Sequence, residues 1–405
     1  MDGLADAFAL LREPLAALGG EAWIVGGGVR DALLGRPVTD VDVAYDGDVS
    51  AAAAAIATHA RAGRFALSER FGGWRVHGRR LGVTVDIIPL GGTLPTDLAR
   101  RDFTVNTLAA PVAGGDIVDL HGGRADLAEG VLRLVSAEAF RDDPVRLMRL
   151  PRQAHELGFS IEPATAERCR ADAALIHCPA PERIFDEFRR LLALDSPEVG
   201  IALLADLGLL AELAPIQLIE RAVAAAREAA TRVDDAMGRE LADGLSRGAM
   251  AIWGAALASD TSIGGAGARA WCERMKTSTR LRDGLVRIVD TGISLDHEWT
   301  PDECYDLLLT RSPVEAEAVL VALAVAGPSE SRVRRAEQIV GAVRGQQLRL
   351  AAGTLVTGDF LAAHLGLQPG PWLGELIAGM NREQATGRLA TRAEAILFAE
   401  IWQSK

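Results

Sequence analysis

Four cysteines in 405 residues, at Cys169, Cys178, Cys272 and Cys304, are too few and too widely spaced for a zinc site or a disulfide framework, and they read as reduced thiols. The seven histidines are scattered, and no His-Asp dipeptide occurs, which argues against a fused metal-dependent phosphohydrolase domain. No apolar run reaches the length needed to cross a membrane, and the acidic start lacks a signal-peptide pattern. The expectation is a soluble, cytoplasmic protein with no membrane partner. Positive charge is also in deficit: the net charge is −12, which speaks against a surface coated for non-specific nucleic-acid binding. The arginines are clustered, however, so a nucleic acid would be gripped locally and by shape. What the chain does have is 49% hydrophobic residues and a length that calls for more than one domain.

The richest stretch is Trp23 to Gly47, WIVGGGVRDALLGRPVTDVDVAYDG. Trp23-Ile24-Val25 reads as a buried strand. Gly26, Gly27 and Gly28 form a turn where backbone can approach a ligand without Cβ interference. A helix follows from Val29 to Leu34, stopped by Gly35 and Pro37. A second apolar strand, Val38 to Tyr45, carries Asp40 and Asp42, which are two apart and so share a face. Paired carboxylates repel unless a cation lies between them, and beside a helix N-terminus suited to phosphate the fitting cation is Mg²⁺. The spacing is not G-x-G-x-x-G, so a dinucleotide fold is excluded, and no Gly-Lys-Ser/Thr follows to make a P-loop.

Further along, Asp48 caps an Ala-rich helix to about Ala62. Strands are expected at Arg64 to Ser68, Trp74 to His77 and Val83 to Ile88. Asp86 in the last is a candidate third acid beside Asp40 and Asp42. LARRDFTVNTLA, residues 98 to 109, reads as an apolar helical pattern punctuated by Arg100, Arg101, Asp102 and Asn106. Arg101 offers a guanidinium fork suited to triphosphate oxygens. Ile117 to Leu120 reads as a strand before the Gly122-Gly123 turn, and from Ala137 the pattern becomes and stays helical. In FRDDPVRLMRLPRQAHELGF, residues 140 to 159, Asp143 and Arg146 are three apart and are expected on one helix face, with Arg149 and Arg152 continuing the row and Pro151 kinking or shortening the helix. Glycines at 264, 265 and 267 read as punctuation between later helices.

GGxVRDxLLG followed by Asp-x-Asp, and then RRDFTxN, resembles the signature of the class II nucleotidyltransferases, which comprise tRNA CCA-adding enzymes, CC-adding and A-adding relatives, and bacterial poly(A) polymerases. The Val356 to Glu375 stretch is similar to the GxDLxxxGxxPGPxxGxxL tail of the CCA-adding branch, and Asp142 stands where that family usually has Glu. The resemblance implies an α+β fold: a polymerase-β-type head over residues 1–136, then a helical neck (137–200), body (201–350) and tRNA-binding tail (351–405). It implies transfer of C and A from CTP and ATP to the tRNA 3′ end, with tRNA gripped at its 3′ end and its acceptor and T-arm backbone. Asp40 and Asp42 would hold two Mg²⁺ ions, with Asp86 completing the set. Gly27, Arg30 and Arg101 would hold triphosphate and ribose, and Asp102 and Asn106 the ribose or the turn. Asp143 and Arg146 would read the base, with Arg149 and Arg152 contacting the nucleotide. A poly(A) polymerase and an inactive RNA-binding scaffold are the alternatives; the tail and the acidic charge disfavour the first, the intact Asp40 and Asp42 the second. The connection between Asp86 and Arg100 is short and carries Pro89 and Pro95, whereas full CCA-adding relatives typically carry a longer flexible loop there. Full CCA addition is the family default, with CC-only addition its rival and A-only addition behind that; residues 69–80 are the other candidate for a mobile loop.

Overall fold

The structure, a computed structural model, describes residues 2–67, 72–78, 82–214, 216–233, 235–260, 263–290 and 292–404. Residues 69–71 and 79–80 of the alternative mobile loop lie outside them, and Trp74–His77 within it is a strand. The chain forms two compact units, one of residues 1–180 with 207–209, the other of residues 181–206 with 210–405.

The first unit is built on a six-stranded sheet. Its strands are β1 (Ala22–Val25), β2 (Asp40–Tyr45), β3 (Gly63–Ala66), β4 (Trp74–His77), β5 (Thr84–Pro89) and β6 (Ala109–Pro111), in the spatial order β3-β4-β5-β2-β1-β6. Only β2 and β5 run parallel; the other neighbours are antiparallel. Two helices cover one face. In α1 (Asp2–Leu18), Ala7, Leu11 and Leu15 recur every four residues and are buried. α3 (Val49–Ala60), which follows α2 (Gly27–Leu33), buries Ala52, Ala53 and Ile56, and the Asp48 carboxylate caps it by accepting from the Ala51 N–H at 3.0 Å. Opposite these helices the strands turn inward Ile24, Val41, Val43, Val76, Val85 and Ile87, all buried. By the two-residue alternation the other face receives Asp40, Asp42, Arg75 and Asp86.

That polar face is partly roofed at its β1 end. In α4 (Leu94–Ala99), Leu94 and Leu98 pack with Val25, Ala44 and Ala109. Here the structure corrects the sequence reading: the helix ends at Ala99, and residues 104–106 form a single 3₁₀ turn rather than continued α-helix. The Asp102 carboxylate accepts from the Phe103 N–H at 2.8 Å, a local bond that competes with helix propagation. Phe103, Val105 and Leu108 are fully buried without helical spacing. Ile117 to Leu120 is likewise no strand but one bridge from Val118 to Ala109, and the Asp119 carboxylate takes the N–H of Gly123 (2.8 Å) and Arg124 (2.9 Å) where α5 (Gly123–Glu129) begins. The later chain is not wholly helical, because β7 (Val131–Leu132) pairs with β8 (Ser160–Ile161) and Glu240–Ala242 with Leu245–Ser246.

In the second unit the described elements are otherwise helices. Arg247–Ala258 is buried at every position from Gly248 on, as expected of a helix apolar all round, and its Trp253 meets Phe188 and Trp271 at ring-centroid distances of 4.9 and 5.3 Å. Gly264, Gly265 and Gly267 lie within the helix Gly264–Arg274 and do not punctuate. The last three helices, Gly358–Leu365, Pro371–Ala385 and Arg392–Gln403, share a core of Leu361, Leu365, Leu376, Met380, Ala395 and Ala399.

Candidate active site

Strand register lines up the acids. Asp42 in β2 is paired with Asp86 in β5, and Asp86 in turn with Arg75 in β4, so three charged side chains cross the sheet in one row. Asp40 lies one step along the same face; its Oδ2 accepts from Thr39 Oγ1 at 3.0 Å. Arg75 grips both Asp86 oxygens from Nε and Nη2 at 2.6 Å each, the bidentate geometry that a guanidinium favours. The Asp42 carboxyl is pushed above its ordinary range, first by burial; the nearby Arg101 works against that, while Asp86 and Asp40 add to it. Such a half-buried carboxylate beside like charges fits a hard divalent cation. Among the described residues no three acid, histidine or cysteine side chains converge on one point. With Asp86 engaged by Arg75, Asp40 and Asp42 remain as the protein's oxygens, and phosphate oxygens and water would complete the shell of a divalent cation.

The glycine turn abuts this row. Gly26 caps α2 with φ 75 and ψ −142, a conformation open to glycine and strained for other residues. A Cβ on Gly26 would stand 3.0 Å from Arg101 Nη1 and 3.2 Å from Asp42 Oδ2, so any side chain here would crowd both groups. Gly27, singled out from the sequence, is the first helical residue beyond it. Arg101 is held by Asp97 at 3.1 Å, and its Nε is buried with no hydrogen-bond partner among the described residues. An unspent donor beside a glycine turn suits an anionic ligand.

Arg30, Asp102 and Asn106 are placed elsewhere, in a buried polar core. Arg30 pairs with Asp31 at 2.8 Å and donates from Nη1 to Asn106 Oδ1 at 2.9 Å and to Gln153 Oε1 at 3.4 Å. The Asn106 amide donates to Asp102 Oδ1 at 2.9 Å and to Gln153 Oε1 at 3.0 Å. Burial alone would raise the Asp102 carboxyl, but Arg149, paired at 3.1 Å, and the bonds from Asn106 and Phe103 outweigh it and hold it below the usual range. In this structure these side chains bond to one another. Gln153 and Arg75 went unnoticed in the sequence; a buried polar residue in an apolar helical row was the signal for the first, and period-two alternation in Trp74-Arg75-Val76-His77 for the second.

Asp143 and Arg146 are not on one helix, contrary to the spacing argument. α6 (Ala139–Asp142) ends before Asp143, which is extended at φ −144, ψ 96, and α7 (Arg146–Leu157) starts afresh. Pro144 disfavours the helical conformation for the residue before it. The two still sit together at the opening of α7, where the Asp143 carbonyl accepts from the Arg146 N–H at 3.0 Å and its carboxylate from the Val145 N–H at 3.4 Å. Arg146 donates to the carbonyls of Ala139 (3.0 Å) and Arg100. Nor does Pro151 end α7: Leu147, Met148, Leu150 and Ala154 are buried on either side of it, and that packing offsets the one lost backbone bond. Arg152 pairs with Glu156.

A mixed sheet with aligned carboxylates beside a glycine turn, a helix start and an unspent arginine has the build of a nucleotidyltransferase head. The chain matches the family model for the poly A polymerase head domain over residues 22–86 and 82–133, that for the RNA- and SrmB-binding site of polymerase A over 158–218, and tRNA nucleotidyltransferase domain 2 over 249–399. It is 33% identical to the CC-adding tRNA nucleotidyltransferase of Geobacter sulfurreducens across 92% of this chain and 90% of that one. It is 31% identical to the A-adding tRNA nucleotidyltransferase of Deinococcus radiodurans across 96% and 98%. Among solved structures, a CCA-adding enzyme with ATP superposes with TM-score 0.80 at 20% identity over 100% of this chain and 96% of that one, and the Thermotoga maritima CCA-adding enzyme complexed with tRNA at 0.76 and 20% over 98% and 95%, which fixes the fold. The chain belongs to the class II tRNA nucleotidyltransferase/poly(A) polymerase family.

Proposed function

We propose that this protein is a tRNA nucleotidyltransferase that extends the tRNA 3′ end with C and A from CTP and ATP, releasing pyrophosphate. The observation that carries the reading is the row Asp42–Asp86–Arg75, with Asp40 beside it, ending at Gly26 and Arg101. Two Mg²⁺ ions would lower the pKa of the attacking hydroxyl and neutralise the leaving pyrophosphate. Asp40 and Asp42 would hold them. Arg75 holds the Asp86 carboxylate in the row through its bidentate grip. Arg101 and the turn at Gly26 and Gly27 hold the triphosphate. Arg30, Asp102 and Asn106 keep that turn in place, and Arg149 and Arg152 flank the nucleotide from α7. Asp143 accepts from the exocyclic amino group of C or A, and Arg146 donates to the neighbouring ring nitrogen. Uracil and guanine offer a carbonyl there and give the acid no donor, at a cost of about 1–3 kcal/mol, or roughly 5- to 150-fold. We assign residues 1–136 to catalysis, 137–200 to the base-reading neck, 201–350 to the body and 351–405 to tRNA binding, and the whole to the cytoplasm, where tRNA and nucleoside triphosphates meet.

One observation favours a narrower product, two C residues without A. β5 ends at Pro89 and α4 begins at Leu94, leaving Leu90 to Thr93 as the connection. Thr93 and Thr96 cap α4 reciprocally, and the Thr96 hydroxyl also reaches the Gly91 carbonyl at 3.3 Å. A connection so short and so bonded has little room to reorient a base-reading template. The test is a tRNA lacking its last three nucleotides, given each NTP singly and then CTP with ATP together. Extension by CTP alone followed by A supports full CCA addition. A ladder stopping after two C residues supports the narrower product. Untemplated runs of A would replace both by a poly(A) polymerase; addition of A only to a tRNA already ending in two C residues would replace them by an A-adding enzyme, and no extension of either tRNA by an inactive scaffold.

A further inference from the structure

The acid-bearing row does not stop at Arg75. Phe65 in β3 is the register partner of Arg75, so Phe65, Arg75, Asp86 and Asp42 stand side by side on four adjacent strands. His77 shares the face, two residues from Arg75, and meets the Phe65 ring edge-on with centroids 5.4 Å apart at 68°. Phe65 is 46% exposed, on an edge strand whose four residues are all exposed. At about 4.8 Å between strands, the ring lies roughly 10 Å from Asp86 and roughly 14 Å from Asp42. An exposed phenylalanine alone is unremarkable. This one continues, without a break, a face that carries the carboxylates.

The direction of the reaction assigns that end of the row an occupant. With the triphosphate at Gly26 and Arg101, pyrophosphate departs on the β1 side of Asp42. In-line displacement requires the attacking hydroxyl on the opposite side of the α-phosphate. The acceptor strand must therefore arrive across β5, β4 and β3, over Arg75 and Phe65. Arg75 spends Nε and Nη2 on Asp86, and in its planar fork Nη1 points away from that carboxylate, free in direction to meet a phosphate. The β1 side is closed by α4, whereas among the described residues all four of β3 are exposed. The roughly 10 Å between Phe65 and Asp86 is about three base steps of 3.4 Å. Aromatic rings hold single-stranded bases whatever their identity, which suits an end that changes with every addition.

We propose that Phe65, buttressed by His77, is the stacking platform for the last bases of the single-stranded RNA acceptor, and that Arg75 bridges the platform to the acids. This rests on the nucleotidyltransferase reading above. The test compares wild type, Phe65→Ala and Phe65→Trp, in turnover on a tRNA lacking its last three nucleotides and in binding on the same tRNA carrying two added C residues, with 2-aminopurine as the unpaired base just before them, set back from the acids as the platform is. Without NTP, quenching of 2-aminopurine fluorescence on binding is expected with wild type and Phe65→Trp, and its loss with Phe65→Ala. In turnover, Phe65→Ala should raise KM for the tRNA about tenfold, within the range that loss of one stacked base gives, leave KM for CTP unchanged, and be rescued by Trp. Wild-type quenching and tRNA KM in Phe65→Ala would overturn the platform. His77→Ala, read by the same two measurements with a smaller expected effect, decides the matter should Phe65→Ala not fold. If wild type binds and quenches but extends nothing, the nucleotidyltransferase reading fails and the platform survives as an RNA-binding site; if wild type extends the tRNA with no quench, the platform fails alone.

Discussion

The open sheet face and the closed polar core beside α2 draw on the same conspicuous motifs, yet their polar groups have opposite fates. On the face, Asp42 sits beside the like charges of Asp86 and Asp40, and Arg101 keeps a buried donor unspent. In the core, Arg30, Asn106, Asp102 and Gln153 satisfy one another over short distances. A polar group already bonded inside the protein cannot take up substrate without leaving a partner unpaired, whereas a strained carboxylate gains by meeting a cation. On the function proposed above, residues of one motif divide into those assigned to meet the substrate and those that hold them in place.

The sharpest way to break this distinction is to remove a face carboxylate. Asp40→Ala or Asp42→Ala should lower nucleotidyl transfer by several orders of magnitude while the far-ultraviolet circular dichroism and the melting temperature hold. Near-wild-type, divalent-dependent transfer by either variant would mean that the row is not the reacting centre. A smaller effect is expected at the opening of α7. Asp143→Ala or Arg146→Ala should raise misincorporation of UTP or GTP relative to CTP and ATP by about 5- to 150-fold, the worth of one unpaired buried group. NTP preference unchanged in both variants would remove the pair from base reading.

The core should respond in stability instead. Arg30→Met leaves the Asn106 carbonyl oxygen without its donor and takes one of two donors from that of Gln153, and the stability read by urea unfolding should fall by about 1–3 kcal/mol. Transfer by the folded fraction should fall far less than in the Asp42 variants. If Arg30→Met kept full stability and instead raised KM for NTP alone, Arg30 would belong to the face after all.

How much of this was legible beforehand follows from the range of each interaction. The strand-turn-helix-strand from Trp23 to Tyr45 could be read because apolar runs, glycines and an Asp-x-Asp spacing are local signals. Asp86 could be nominated because a carboxylate between β-branched residues is anomalous. The Asp42–Asp86–Arg75–Phe65 row could not, because strand order β3-β4-β5-β2 is decided by pairings distant in sequence. The Asp143–Arg146 error came from extending a helical period across Pro144, whose steric demand falls on the residue before it. The helix imagined through Arg100 to Asn106 failed for a related reason: the Asp102 side chain binds its own neighbouring backbone. Arg30 and Asn106 read as ligand groups because a motif shows which residues occur together, not whether they face a cleft or one another.

The smallest expected effect probes the cost of keeping the face ready. Burial and the neighbouring acids hold the Asp42 carboxyl above its ordinary 3.8 in the folded protein. The folded state therefore binds this proton more tightly than the unfolded chain, and the stability so gained is complete at pH below 3.8 and is lost as pH rises through the raised value. At neutral pH the ionised group destabilises the metal-free fold. Asp42→Asn, which keeps the shape without the charge, should raise the melting temperature of metal-free protein slightly at pH 7, and the difference should shrink as pH falls toward 4. Added Mg²⁺ should raise the melting temperature of wild type by mass action and that of Asp42→Asn much less. A metal-free Asp42→Asn protein that melts below wild type at pH 7 would show that Asp42 holds the sheet together rather than standing ready for a cation, and the contrast between face and core would lose its physical basis.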